Sequence, residues 1–186
     1  MTRILIMGPP GSGKGTQASR ISGRLGVETI STGDIFRENV LRQTPLGREA
    51  QRYLDSGDFV PDKITNDMVR DRLGAPDVGY PRTLAQTAFL DQILAEGDQK
   101  LDGVLHLAAD ADELVCRLLR RAEEAGRSDD KETVIRHRLE LYNKETEPLL
   151  ALYSRRSILT TIEGRGSVDE VTNRAIRALA STGTQL

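Results

Sequence analysis

Gly8-Pro9-Pro10-Gly11-Ser12-Gly13-Lys14-Gly15-Thr16 follow directly on the apolar run Ile4-Leu5-Ile6-Met7. A buried strand feeding a glycine-rich turn that opens a helix is a cradle for phosphate. Main-chain N–H groups turn inward where no Cβ obstructs them, the helix start adds partial positive charge, and Lys14 reaches the outer phosphates. The strict form of the motif places Ser or Thr directly after the lysine to hold magnesium; here Gly15 intervenes and the hydroxyl comes at Thr16. The loop is therefore a variant of the phosphate cradle.

The elements around it must hold the loop at one end of a sheet. Short apolar runs at residues 3–7, 27–30, 103–107 and 157–162 read as strands and are separated by helical stretches, the alternation of a parallel sheet covered by helices. The first helix is expected from Lys14 to Leu25, with Ala18, Ile21 and Leu25 on its buried face and Gly26 ending it. The last is expected to begin at Ser167, with Glu170 reaching back to the cap and Val171, Ala175 and Leu179 buried. Two segments break the alternation, residues 31–60 and a short turn within 122–130, and both read as flaps over the site. A phosphoryl-transfer enzyme must keep water from intercepting the phosphoryl group, and covers assembled by substrate do this.

The bulk numbers suit one compact domain: 186 residues, 38% hydrophobic, net charge −2. That charge leaves no overall basic footprint for nucleic acid, although 21 of the 26 cations are Arg, whose planar forks suit phosphate oxygens. A single cysteine excludes an internal disulfide and a cysteine-based zinc site, and Cys116, among Leu114, Val115 and Leu118, reads as buried filler. The chain shows no cleavable signal region and no apolar stretch of membrane length, so a cytoplasmic protein without membrane contact is expected. His106 and His137 lack ligand partners at useful spacing and read as structural.

Four further stretches follow the loop in order: Ser31-Thr32-Gly33-Asp34-Ile35-Phe36-Arg37, Gly57-Asp58-Phe59-Val60-Pro61-Asp62, Gly79-Tyr80-Pro81-Arg82-Thr83 and Arg127-Ser128-Asp129-Asp130. In that register the chain resembles adenylate kinases of the bacterial short-lid type, from Arg3 to about Leu179. The resemblance implies a P-loop NTPase-type α/β fold, a single kinase domain over 1–186 with a nucleoside-monophosphate flap at 31–60 and a short lid at 122–130. It implies reversible phosphoryl transfer from MgATP to AMP giving two ADP, by a monomer. Magnesium would arrive with ATP, held by phosphates and waters, with no metal-ligating side chains of its own.

By the same resemblance Gly11, Ser12, Gly13, Lys14, Gly15 and Thr16 form the ATP phosphate loop, with Lys14 bridging phosphates. Thr32, Arg37, the backbone of Asp58, Phe59 and Val60, Gly79, Tyr80, Pro81, Arg82 and Gln86 match the AMP pocket, Gln86 reading the adenine edge. Arg117 and Arg121 match lid-side arginines on ATP, Arg127 and Arg138 those that clamp the transferring group between the nucleotides, and Gly166 a backbone contact to the ATP base. Lys14, Arg82, Arg121, Arg127 and Arg138 would be catalytic. A metaphosphate-like transition state spreads charge over equatorial oxygens, so it needs converging fixed cations more than a general base. Asp129 and Asp130 are expected either to hold Arg127 and Arg121 in a hinged ion-pair cluster or to favour the start of the following helix.

The chain departs from the pattern at one place. The family puts an apolar strand ending in Asp before the Gly-Tyr-Pro-Arg stretch; here only Gly74-Ala75-Pro76-Asp77-Val78 intervene, with Val78 where the Asp should be. These residues predict a gap in the central sheet, unless the preceding helix unwinds to supply a strand. Other readings stay open: a kinase for UMP or CMP, a nucleotide-binding protein impaired in turnover, or a GTPase-like switch. For the last, Asn143-Lys144-Glu145-Thr146 is a partial match to a guanine-reading motif but lacks its Asp and reads as helix surface.

Overall fold

The computed structural model describes residues 3–26, 29–72, 77–78, 80–125 and 131–181. A five-stranded, wholly parallel sheet lies at its centre, in the order β2-β3-β1-β4-β5. The strands are β1 (Ile4–Met7), β2 (Ile30–Ser31), β3 (Asp77–Val78), β4 (Gly103–Ala108) and β5 (Leu159–Glu163). The helices among the described residues are α1 (Lys14–Leu25), α2 (Thr32–Leu41), α3 (Pro45–Ser56), α4 (Asp62–Arg72), α5 (Leu84–Glu96), α6 (Ala111–Ala125), α7 (Glu132–Leu141), α8 (Pro148–Arg155) and α9 (Val168–Ser181).

Strand alternation divides the core in two. Ile4 and Ile6 of β1 join Leu105 and Leu107 of β4 under α1 and α9, where Ala18, Ile21, Val171, Ala175 and Leu179 close the layer. Leu5, Met7 and Val104 face the other way, onto Leu90 and Leu94 of α5 and Leu149 and Tyr153 of α8. A strand buried on both faces needs the continuous apolar run that β1 shows. The expected ends of α1 and α9 are both seen: Gly26 caps α1 in the left-handed region, and Ser167 with Glu170 forms a reciprocal cap at 2.7 Å and 3.3 Å.

The expected gap in the sheet is closed. Asp77 and Val78 form a continuous two-residue strand, pairing with Ile30 and Ser31 of β2 on one side, while Val78 pairs with Ile6 of β1 on the other. Two short neighbours supply the ladder that the local sequence does not advertise. The strand expected at 27–30 is seen as Ile30–Ser31, its residues 27 and 28 lying outside the described residues.

A third apolar cluster stands apart from the sheet: Phe36, Ala50, Val60 and Met68, with Leu46, Tyr53 and Leu54 packed against it. It ties α2, α3 and the start of α4 into a unit with its own core. Gly47 makes the tight α2–α3 contact possible, since a Cβ there would lie 2.0 Å from the Asn39 carbonyl oxygen. Residues 122–125, expected within a lid turn, are the last turn of α6, and 126–130 lie outside the described residues, Asp129 and Asp130 included. Cys116 is exposed, not buried, because it falls on the face of α6 opposite Leu114 and Leu118.

Candidate active site

The glycine loop leaves the C-terminal end of β1 and is fixed by close packing. Gly8 has φ 152°, and a Cβ there would lie 2.7 Å from the Leu107 carbonyl oxygen and from Ser12 Oγ. Gly11, at φ 84°, would press its Cβ to 2.9 Å from Leu118 Cγ of α6. Only glycine meets both the backbone angle and the approach. Lys14 opens α1 and folds its ammonium back over the loop, donating to the Gly8 and Pro9 carbonyls at 2.7 Å and 3.0 Å.

Burial pushes the Lys14 ammonium down to about 7, and the charges of Arg82, Arg138 and Arg121 add to that push. The residue as a whole keeps some solvent access, so the effect belongs to its charged end. These cations come from distant parts of the chain: Arg82 precedes α5, Arg121 lies on α6 and Arg138 on α7. Four cations whose charges act on one another beside the glycine loop are an arrangement for a polyanion. His106 of β4 is held below the ordinary imidazole range by burial and by the Lys14 charge, which keeps it neutral beside the loop.

Beside the loop a cleft opens between the sheet end, the α2–α3 unit and α7. Thr32, Arg37, Asp58, Phe59 and Val60 line it from the α2–α3 side. Tyr80, Pro81, Arg82 and Gln86 line it from the start of α5, with Lys14 and Arg138 completing the wall. Arg82 lies over the Phe59 ring, 5.3 Å from its centroid, and its carbonyl accepts from Thr146 Oγ1 at 3.0 Å. Arg37 pairs with Asp34 one turn back on α2.

Gln86 is almost wholly buried. Its Nε2 donates to Asp62 Oδ1 at 2.6 Å, and its Oε1 accepts from the Arg82 backbone N–H at 2.8 Å. Thr83 caps α5, accepting from the Gln86 N–H and donating to Asp62 Oδ2 at 3.0 Å.

The remaining expected residues gather around the other side of the loop. Arg117 donates to Glu113 and to the Gly164 carbonyl at 2.6 Å and 2.9 Å, bridging α6 to the turn after β5. Gly166 lies in that turn at φ 114°, against the Glu170 carboxylate. Ser12, Gly13, Gly15 and Thr16 complete the loop and the first turn of α1; Ser12 Oγ is buried with no hydrogen-bond partner among the described residues. Gly79 and Arg127 lie outside the described residues.

Sequence reasoning missed several contributors. Tyr142 and Thr146 line the cleft from a π-helical turn spanning Tyr142–Thr146, so the segment expected as helix surface turns one buried hydroxyl inward. Phe36 and Leu54 supply apolar wall, and Asp62 anchors Gln86. Phe36 and Asp62 stand inside the stretches 31–37 and 57–62 that carry the resemblance, the signal that could have found them.

A parallel sheet with a glycine loop at the end of a central strand, a lysine folded over that loop and arginines converging on it define a P-loop nucleotide-binding α/β protein. The family model for adenylate kinase matches residues 6–158. Adenylate kinase of Pseudarthrobacter chlorophenolicus is 62% identical over 186 residues, spanning 96% of this chain and 97% of the relative. That of Kocuria rhizophila is 59% identical, spanning 96% of this chain and 99% of the relative, and that of Renibacterium salmoninarum 59%, spanning 96% of each. The chain belongs to the adenylate kinase family and is an ATP:AMP phosphotransferase. These likenesses do not favour the UMP or CMP kinase, the impaired binder or the GTPase-like switch.

Proposed function

We propose that AMP occupies the cleft between the α2–α3 unit and the start of α5, that ATP lies across the glycine loop toward Arg117 and Gly166, and that the γ-phosphoryl group passes between them at Lys14. In the forward direction an oxygen of the AMP phosphate forms the new P–O bond as the bond to the ADP leaving group breaks, giving two ADP. The observation that carries this reading is that Lys14, Arg82 and Arg138 line one cleft, with the Arg121 charge acting on the same ammonium. Fixed cations stabilise charge spread over the equatorial oxygens of a loose transition state, and they do so without a general base. Arg127 is assigned to the same role by the family resemblance alone.

Residues 31–60 act as the AMP flap, supported by the separate apolar cluster that lets the unit move as one body. Residues 122–130 act as the lid. Magnesium would come with ATP, held by the phosphates and waters it already binds, as a hard and reluctantly dehydrated ion prefers. When bound it neutralises phosphate charge. The family likeness suggests a monomer. No helix among the described residues is long and apolar enough to cross a membrane, and ATP and AMP as substrates fit a cytoplasmic setting.

The test is AMP-dependent ADP production from MgATP by the purified chain, with Lys14→Met as control. Loss of about 10³ in rate in the variant is expected. Equal turnover would remove the loop from the reaction.

A further inference from the structure

We infer that Asp62 is a positioning residue which locks the polarity of the Gln86 amide against the cleft, so that the site accepts a base presenting a ring acceptor beside an amino donor and rejects the same base shape with the order reversed. The inference rests on the proposed placement of AMP beside Gln86.

A glutamine amide can rotate by half a turn and exchange its donor and acceptor at little cost, and such a reader does not discriminate. Here both ends face partners of a single polarity. The Asp62 carboxylate only accepts, so the NH₂ group must point to Oδ1, 2.6 Å away. The Arg82 backbone N–H only donates, so Oε1 must point to it, at 2.8 Å. A half turn would set carbonyl against carboxylate and N–H against N–H.

Gln86 is 2% exposed, so water cannot repair either contact. Asp62 is itself anchored, since its second oxygen accepts from Thr83 Oγ1 at 3.0 Å and it opens α4, where a helix start favours a carboxylate.

The amide keeps one N–H and one acceptor lobe beyond these bonds, and Gln86 lines the cleft. Adenine offers an acceptor at N1 next to a donor at N6 and matches this order. Hypoxanthine has nearly the same shape but donates from N1 and accepts at O6, so it meets like against like. Cytosine shares the order of adenine, so the lock does not distinguish the two.

The test measures kcat/KM with MgATP for AMP, IMP and CMP in the wild type and in Asp62→Asn, Asp62→Glu and Gln86→Met. An asparagine can itself rotate and no longer dictates polarity. Its AMP:IMP preference is expected to fall about tenfold, mainly through KM for AMP, with the AMP:CMP preference kept within about twofold. Asp62→Glu keeps an acceptor-only group and is expected to retain the AMP:IMP preference within about threefold. Asp62→Ser takes the place of Asp62→Asn if the latter does not fold. The inference is overturned if Asp62→Asn leaves the AMP:IMP preference unchanged while Gln86→Met abolishes it. If Gln86→Met also leaves it unchanged, the base is not read at Gln86 and the placement of AMP fails first.

Discussion

His137 Nε2 lies 2.7 Å from Asp58 Oδ1, so α7 is bonded to the first residue past the Gly57 cap of α3. The same joint is packed tightly: a Cβ on Gly57 would lie 2.8 Å from Arg138 Cγ and from Val134 Cγ1. The α2–α3 unit, the proposed AMP flap, is thus braced against the helix that carries Arg138.

The His137 hydrogen bond, then that from Ser56, holds the Asp58 carboxyl below its usual range. A carboxyl lowered on folding contributes stability above the ordinary carboxylate range and loses it as pH falls through the lowered value. Both side chains are half exposed, so Asp58→Asn is expected to cost under about 1 kcal/mol at neutral pH and to flatten the acid limb of stability. Urea midpoints from pH 3 to 7 check this, and an acid limb identical to the wild type counts against the bond.

Lys14 gives a slope of the same sign in a higher pH window. Between about pH 7 and its ordinary value of 10.5, the unfolded chain holds a proton on Lys14 that the folded, nucleotide-free chain does not, so stability rises with pH across that window. A polyphosphate beside the ammonium returns the proton. ATP binding at pH 8 is therefore expected to take up about one proton, read by calorimetry in buffers of different ionisation enthalpy. Heats independent of the buffer would contradict the charge cluster.

Gly8→Ala places a methyl group against the Leu107 carbonyl at a backbone angle reserved for glycine. Such strain costs about 1–3 kcal/mol, and thermal unfolding is expected to show it together with weaker ATP binding. Gly13→Ala is the comparison, since nothing lies within 4 Å of its Cβ position and the strain there is in φ alone. A Gly8→Ala protein no less stable than Gly13→Ala would contradict the loop packing.

The glycine loop, α1 and the cap of α9 were legible because each is written in contiguous residues: a motif, a Gly26 stop, a Ser167–Glu170 pair. β3 was not, because two residues become a strand only when Ile6 and Ile30 flank them. Cys116 was misread because its neighbours in sequence are buried, yet a step of two residues on a helix crosses to the opposite face. The Asp62–Gln86 bond spans 24 residues, and Thr146 reaches Arg82 through a π turn, so neither leaves a local trace. The arginines were found through the register of motifs, since a lone Arg reads equally well as a surface ion-pair partner.

The central claim is that cations from separate elements surround one migrating phosphoryl group. A crystal structure with a bisubstrate analogue, two adenosines joined by a chain of phosphates, tests it most directly. Lys14, Arg82, Arg121, Arg127 and Arg138 are expected within hydrogen-bonding distance of the central phosphates, with one adenine against Gln86. Guanidinium groups turned to bulk solvent, with the phosphates held elsewhere, would contradict the account.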